Sequence, residues 1–363
     1  MKIGILGGGQ LAQLLSASAY QLGLETLCLV EDSYCPAART SPVMMGTLEE
    51  NEVLKEFIEA ADVCTLENEN IDVSLLSLLE QEGPVYPKPD SIAVAQDRLL
   101  EKQCFQALNI PVPNYVGIES EQDLHQALTA IGTPAVLKTR RFGYDGKGQF
   151  VIRSPEQISE AWLAMGAQPA ILECFVPFEC EVSLIAARSI TGDIVFYPLI
   201  KNTHRNGILQ LSEFPYKDAG LQKQAEDYVR KLLEHFQYVG VLAFEFFVMN
   251  YGLLANEIAP RVHNSGHLTI EATTCSQFEN HLRAISNMPL VSPDVIAPAV
   301  MINIIGSWPK FKNEDIGTGV HLYDYGKKER PGRKLGHITV LGLNKNLSSR
   351  VAQLIAAAKD NRF

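Results

Sequence analysis

The chain has 363 residues, 46% hydrophobic and 20% charged, with a formal net charge of −11. These are globular values for two or three domains, and they exclude a disordered chain. No run of about 18 apolar residues occurs, which argues against a membrane-spanning helix, and the seven scattered cysteines with no C-x-x-C pair suggest a reduced, cytoplasmic protein rather than a disulfide scaffold. Residues 1–100 hold 5 Lys+Arg against 16 Asp+Glu, while residues 101–363 hold 26 of each. An acidic first third speaks against a broad nucleic-acid surface.

The N-terminal third alternates strand and helix. Lys2–Leu6 reads as a strand, Gln10–Leu22 as a helix, Glu25–Val30 as a strand, Asn51–Ala60 as a helix and Asp62–Leu66 as a strand. That rhythm predicts a parallel sheet. Gly7-Gly8-Gly9-Gln10-Leu11-Ala12 joins the first strand to its helix in a G-x-G-x-x-A pattern, with Glu31 about 20 residues on. A dinucleotide site and a tight turn serving another ligand both fit that pattern. Gly83–Pro89 marks a boundary.

A helical region, Ser91–Asn109, follows, and then a strand at Ala135–Thr139. Lys138 lies on that strand, which runs into Arg140-Arg141-Phe142-Gly143-Tyr144-Asp145-Gly146-Lys147-Gly148-Gln149. Three glycines in six positions, flanked by cations, suit a flap that covers a polyphosphate. The loop is not a G-x-x-x-x-G-K-[ST] phosphate loop. Strands are expected near Ala170–Cys174, Cys180–Ile190 and Ile194–Ile200, and a helix near Leu221–Phe236.

Val239–Val248 and Gly252–Ile258 form a hairpin turned at 249–251. It sets Glu245 opposite Glu257, with Asn256 alongside. Two carboxylates in so apolar a run are costly unless paired or metal-bound, and with an amide oxygen they suit Mg²⁺. Arg261-Val262-His263-Asn264-Ser265-Gly266-His267 comes next. Its two histidines would need one helical face to hold zinc, and Asn-Ser-Gly between them predicts a polar loop instead. The tail has strands near Val300–Ile305 and His337–Leu341 and a helix near Leu347–Ala358. It also carries a cationic loop, Lys327-Lys328-Glu329-Arg330-Pro331-Gly332-Arg333-Lys334, suited to clamping a phosphate.

Together the 7–11 turn, Asp97-Arg98, the 143–149 loop, Asn256–His267 and Arg330–Lys334 with Gly336-His337 resemble the ATP-grasp superfamily. They are most similar to its purine-biosynthetic branch, the 5-(carboxyamino)imidazole ribonucleotide synthetases. The acid pair is common to ATP-grasp enzymes, while the His-Asn-Ser-Gly-His and Arg-Pro-Gly-Arg-Lys runs point to this branch. The resemblance implies an α/β and α+β fold in three parts. These are a Rossmann-like domain over 1–95, an ATP-grasp domain over 96–297 with its flap-bearing subdomain at about 110–175, and a small domain over 298–363. It implies a cytoplasmic homodimer acting on ATP, bicarbonate and 5-aminoimidazole ribonucleotide, with Mg²⁺ (or Mn²⁺) but neither biotin nor NAD, and without nucleic-acid or membrane partners.

By the same resemblance, ATP would be held by Arg98, Lys138, Gly143, Tyr144, Asp145, Gly146, Lys147, Gly148, Gln149, Glu173, Cys174, Phe175, Val176, Glu181, His204, Asn256 and Glu257. Glu173 would begin the hinge that meets adenine, and Glu181 would hold the ribose hydroxyls. Glu245 and Glu257 match the metal ligands. Gln10, Leu11, Tyr144, His263, Asn264, Lys327, Arg330 and Lys334 stand as candidates around the ribonucleotide and bicarbonate, and Asp145, Arg261 and Lys334 as catalytic candidates. Phe142 stands where such loops often have a second glycine, Ala12 replaces a common glycine, and Val262 a common proline. Rival readings are an ATP-grasp ligase with another acceptor, a nicotinamide-dependent oxidoreductase resting on Gly7–Ala12, and a non-catalytic nucleotide binder.

Overall fold

A computed structural model describes residues 1–47, 49–143, 147–309 and 318–342. The expected helix at 347–358 lies outside the described residues. None of the described helices is long and apolar enough to cross a membrane.

The first third forms a parallel sheet of β1 (Lys2–Leu6), β2 (Glu25–Val30), β3 (Val43–Met45) and β4 (Val63–Leu66), in the order β3-β2-β1-β4. Its central strand β1 and its neighbour β4 are buried on both faces, as crossover connections require. A second sheet, entirely antiparallel, orders β5 (Tyr115–Ile118), β6 (Ala135–Thr139), β7 (Gln149–Ile152) and β8 (Ala170–Cys174) as β5-β8-β6-β7. Helices Glu121–Ile131 and Ile158–Ala164 bury Leu124, Leu128 and Trp162 over a core with Leu137 and Leu172.

The third sheet is the largest. It holds β9 (Cys180–Arg188), β10 (Ile194–Phe196), β11 (Ile200–Arg205), β12 (Ile208–Phe214), β13 (Gly240–Met249), β14 (Gly252–Ala259), β15 (Ala299–Ile305), β16 (Val320–Asp324) and β17 (Lys334–Leu341). The order is β14-β13-β9-β11-β12-β15-β17-β16, with β10 on the free stretch of β9. The C-terminal strands thus continue the same sheet through the β12–β15 pairing.

Two expected elements differ. Ser91–Asn109 is two helices, Pro89–Ala95 and Arg98–Ala107, because Asp97 turns extended (φ −122°, ψ 109°) and caps the second through the Leu99 amide at 2.9 Å. Ile194–Ile200 is not one strand. β10 stops at Phe196, before Pro198, which has no N–H to donate, and β11 starts at Ile200.

The first unit is fixed to the large sheet by an apolar face. Leu11, Leu14 and Leu15 of the first helix share a core with Phe278, Leu282 and Ile285 of the helix Gln277–Ile285. Thr65 of β4 adds a polar tie, its hydroxyl 2.8 Å from His281 Nε2.

Candidate active site

β13 and β14 pair in antiparallel register with Glu245 directly opposite Glu257, as the hairpin requires. The register then slips, so that Phe246 faces Ala255 and Asn256 is the extra residue of a bulge. The bulge re-aims the strand next to the acid pair. Glu257 accepts from Arg98 Nη1 at 2.7 Å. Burial works against its charged form, and the adjoining guanidinium overrides burial and holds the carboxyl low. Glu245 is pushed the other way, chiefly by burial, with His204 opposing and the Glu257 and Glu181 charges adding to it. The His263 ring lies beside it, Nε2 3.4 Å from the Glu245 carboxylate. Burial, together with Arg261 and Lys334, drives that imidazole down to about 3, so His263 is neutral at pH 7.

These residues open into a cavity of about 730 Å³ where the three parts of the chain meet. Gln10 and Leu11 line it from the first helix. Arg98, Gly143, Lys147, His204, Glu245, Glu257, Arg261, His263 and Asn264 line it from the middle, and Lys327, Arg330 and Lys334 from the tail. The Glu245–Glu257 pair thus shares one space with a set of cations. Lys327 reaches across the parts to donate to Gln10 Oε1. Burial lowers Lys327 to about 8, with Glu67 pulling the other way.

Other expected residues lie behind this lining. Lys138 Nζ donates to Glu173 Oε2 at 2.8 Å, and Glu173 is almost fully buried. Burial opposes its charge, but Lys102 and Lys138 hold it at about 2. The Glu173 carboxylate is therefore held among two lysines. Cys174 ends β8, and Phe175 is exposed while Val176 is half-buried. Glu181 Oε2 bonds His204 Nδ1 at 2.8 Å. Burial lowers His204, but Glu181, Glu245 and Glu257 outweigh it and raise the ring to about 9. Gln149 begins β7, exposed, and Gly148 has φ +70°, where a Cβ would sit 2.5 Å from Thr139 Oγ1. Tyr144, Asp145 and Gly146 lie outside the described residues.

A scan against protein-family models matches residues 1–96 to the ribonucleotide synthetase pre-ATP-grasp domain, 103–278 to the ATP-grasp domain and 299–350 to the phosphoribosylaminoimidazole carboxylase C-terminal domain. The N5-carboxyaminoimidazole ribonucleotide synthase of Pseudomonas aeruginosa is 45% identical over 98% of this chain and 99% of its own. The chain belongs to the N5-carboxyaminoimidazole ribonucleotide synthase family. Among solved structures of that family, the Thermus thermophilus synthetase superposes with a TM-score of 0.92 at 44% identity, covering 97% of this chain and 98% of the other. The Aspergillus clavatus synthase, solved with ADP and 5-aminoimidazole ribonucleotide, gives 0.89 at 28% identity over 99% and 98%.

The synthase fold explains the first glycine-rich turn differently from a dinucleotide fingerprint. Glu67, just after β4, accepts from the Gly9 amide and, at 3.0 Å, from the Ala12 amide. Its carboxylate sits where a pyrophosphate would meet the helix N-terminus. A Cβ on Gly7 would lie 2.6 Å from Glu67 Cγ, so the glycines make room for a protein acid. Glu31 lines a separate cavity beside Gly7 and Gly8.

Glu69 holds Arg261 from the same loop, Oε1 accepting from Nη2 at 3.0 Å and Oε2 from Nε. Arg140, at the base of the flap, grips Asp97 with Nε and Nη2 at 2.6–3.1 Å. Sequence reasoning did not single out Glu67 or Glu69. The available signal was their position, at the carboxyl end of a strand in an open α/β sheet.

Phe142 adopts φ 61°, a left-handed conformation that glycine takes freely, which accounts for the glycine often found there. The 261–267 run is not a plain loop, since Asn264–Leu268 forms a short 3-10 turn. It is no zinc pair either. His263 turns to Glu245, while His267 is buried with its ring 4.9 Å from His337. Asn264 and Asn303 exchange amide hydrogen bonds at 3.1 and 2.7 Å, pinning the turn to β15.

The donor set fits a hard divalent cation. Two opposed carboxylates, one of them nearly buried with a neutral imidazole 3.4 Å away, leave negative charge that Mg²⁺ would neutralise. Among the described residues no group of three or more His, Cys, Asp or Glu gathers into a metal site. The protein would thus supply two oxygens, and phosphate and water the rest.

Proposed function

We propose that the chain is an ATP-dependent carbon–nitrogen ligase of purine biosynthesis that carboxylates the exocyclic amine of 5-aminoimidazole ribonucleotide. The observation that carries this reading is one cavity joining the Glu245–Glu257 pair to Arg261, Lys327, Arg330 and Lys334. A terminal phosphoryl group belongs at the acids, and a second anion, the ribose phosphate, belongs at the cations.

Phosphoryl transfer needs neutralised charge and an acceptor held in line. Bicarbonate oxygen attacks the γ-phosphorus, the bond to ADP breaks, and carboxyphosphate forms. The amine nitrogen then attacks that carbon, or CO₂ released from it, and phosphate leaves as the amine loses a proton. Mg²⁺ on Glu245 and Glu257 would supply charge neutralisation when bound. Arg98 orients Glu257, Lys147 lines the polyphosphate end, and Lys138 would reach the phosphates on turning from Glu173. Neutral His263, beside Glu245, belongs to the wall that meets the ribonucleotide. Arg261, held rigid by Glu69, and Lys334 meet bicarbonate and the ribonucleotide, with Gln10 and Asn264 completing that wall. Asp145 is proposed to orient the amine. Carboxyphosphate hydrolyses readily, so the 143–149 loop serves to exclude water. The family resemblance also supports a cytoplasmic homodimer.

Phosphate release from ATP tests the reading. It should depend on both bicarbonate and 5-aminoimidazole ribonucleotide. Release indifferent to the ribonucleotide would move the chain to an ATP-grasp ligase with another acceptor.

A further inference from the structure

Beneath the acid pair lies a buried charge cluster that the site residues above do not account for. The helix Arg98–Ala107 turns Arg98, Glu101 and Lys102 inward on one face, at the i, i+3 and i+4 spacing of neighbours. Glu101 accepts from the Ile258 amide at 2.8 Å. Lys102 is 1% exposed, and its ammonium donates to the carbonyls of Asn256 at 2.5 Å and Ala255 at 3.4 Å. It also lies 3.9 Å from Glu173 Oε1, an oxygen that is buried and accepts no hydrogen bond. The other oxygen, Oε2, takes Lys138 at 2.8 Å.

One buried carboxylate therefore has two lysines, one bonded and one standing about an ångström short of bonding. As Lys138 turns to the phosphates of ATP, its hold on Glu173 loosens. A lone carboxylate at that depth is costly, and removing one partner of a buried pair is among the more damaging changes a protein can suffer. Lys102 is already beside the vacant oxygen and has a donor to give. Its two carbonyl contacts keep it there, and they also fix the main chain at the bulge next to Glu257.

We propose that Lys102 is a positioning residue for ATP: it is the standing counter-ion of Glu173, taking over that carboxylate when Lys138 moves to the phosphates. The proposal rests on the ATP-binding reading of this cavity and not on the identity of the acceptor.

The test is a double-mutant cycle on the full-length chain, reading the dissociation constant of a non-hydrolysable ATP analogue by calorimetry, without bicarbonate or ribonucleotide. Lys102→Met should weaken the analogue by at least about tenfold, because Lys138 then stays on Glu173. On a Glu173→Gln background the same change should cost no more than about twofold, because residue 173 no longer needs a counter-ion. The KM for the ribonucleotide should move little in either case. A tenfold loss on both backgrounds would make Lys102 a purely structural lysine and overturn the proposal. So would unchanged binding in Lys102→Met. If Lys102→Met alone does not fold, the comparison of Lys102→Met/Glu173→Gln with Glu173→Gln still decides by the same twofold and tenfold limits. Failure of the wild-type chain to bind the analogue would instead remove the ATP reading beneath it.

Discussion

Glu69→Gln isolates the grip that holds Arg261 over the cavity. Glu69 lies just after β4 and Arg261 just after β14, 192 residues apart, and the pair forms two parallel charge-assisted hydrogen bonds. Both side chains are about one-fifth exposed, at 20% and 18%. The glutamine keeps one oxygen and so one bond, while the second bond and the charge are lost. A hydrogen bond to a charged group contributes about 1.5–3 kcal/mol, and water at the cavity edge screens part of that. The Arg261 contact with the Val262 carbonyl at 3.2 Å remains, so the guanidinium loosens without leaving. If that loosening falls on the bound ribonucleotide, kcat/KM for it should drop by about 10- to 100-fold. The KM for ATP, governed by Lys138 and the acid pair, should stay within about threefold. Steady-state kinetics with each substrate varied in turn, alongside a thermal melt, reads both. An equal loss for ATP and ribonucleotide, or no loss for either, would refute the idea that Arg261 serves the ribonucleotide end.

Glu257→Gln should abolish turnover while leaving the chain folded, because the change removes a metal ligand and the Arg98 ion pair but keeps the shape. Near-normal turnover in that variant would remove the metal role. Acid should loosen the junction between the first unit and the large sheet. His281 accepts from the Val241 amide at 3.0 Å and bonds Thr65 through its other nitrogen, and burial lowers it to about 4. A ring whose folded value lies below its ordinary 6.5 adds stability above pH 6.5, and that stability is lost as pH falls toward 4. The full loss is about 3 kcal/mol. Urea unfolding at pH 7.5, 6 and 5 should show a shallower acid loss in His281→Gln than in wild type. Equal slopes would place the acid sensitivity elsewhere, for example in His263 or His337.

Much of this was legible in the sequence because it is local. The hairpin turn at 249–251 by itself sets Glu245 against Glu257, and the strand–glycine–helix start marks an open parallel sheet. What escaped was held by partners distant in sequence. Nothing near Gly9 announces that Glu67 caps it, and nothing near Arg261 announces Glu69. The break at Asp97 was missed because apolar spacing runs through it, while the cap is a side-chain property. Glu173 begins the segment expected to meet adenine, and the direction of its carboxylate was not legible: it turns inward, because β6 and the helix Arg98–Ala107 bring two lysines to it. Lys102 gave no signal, since a lysine on an amphipathic helix ordinarily reads as solvated.

If one cavity couples ATP cleavage to carboxylation of the ribonucleotide amine, labelled bicarbonate followed into product and phosphate counted from ATP must run in step. One carboxylated ribonucleotide should form per phosphate released, with both signals lost when any of the three substrates is omitted. Brisk phosphate release with no label in the ribonucleotide, under conditions where the product survives, would contradict that coupling.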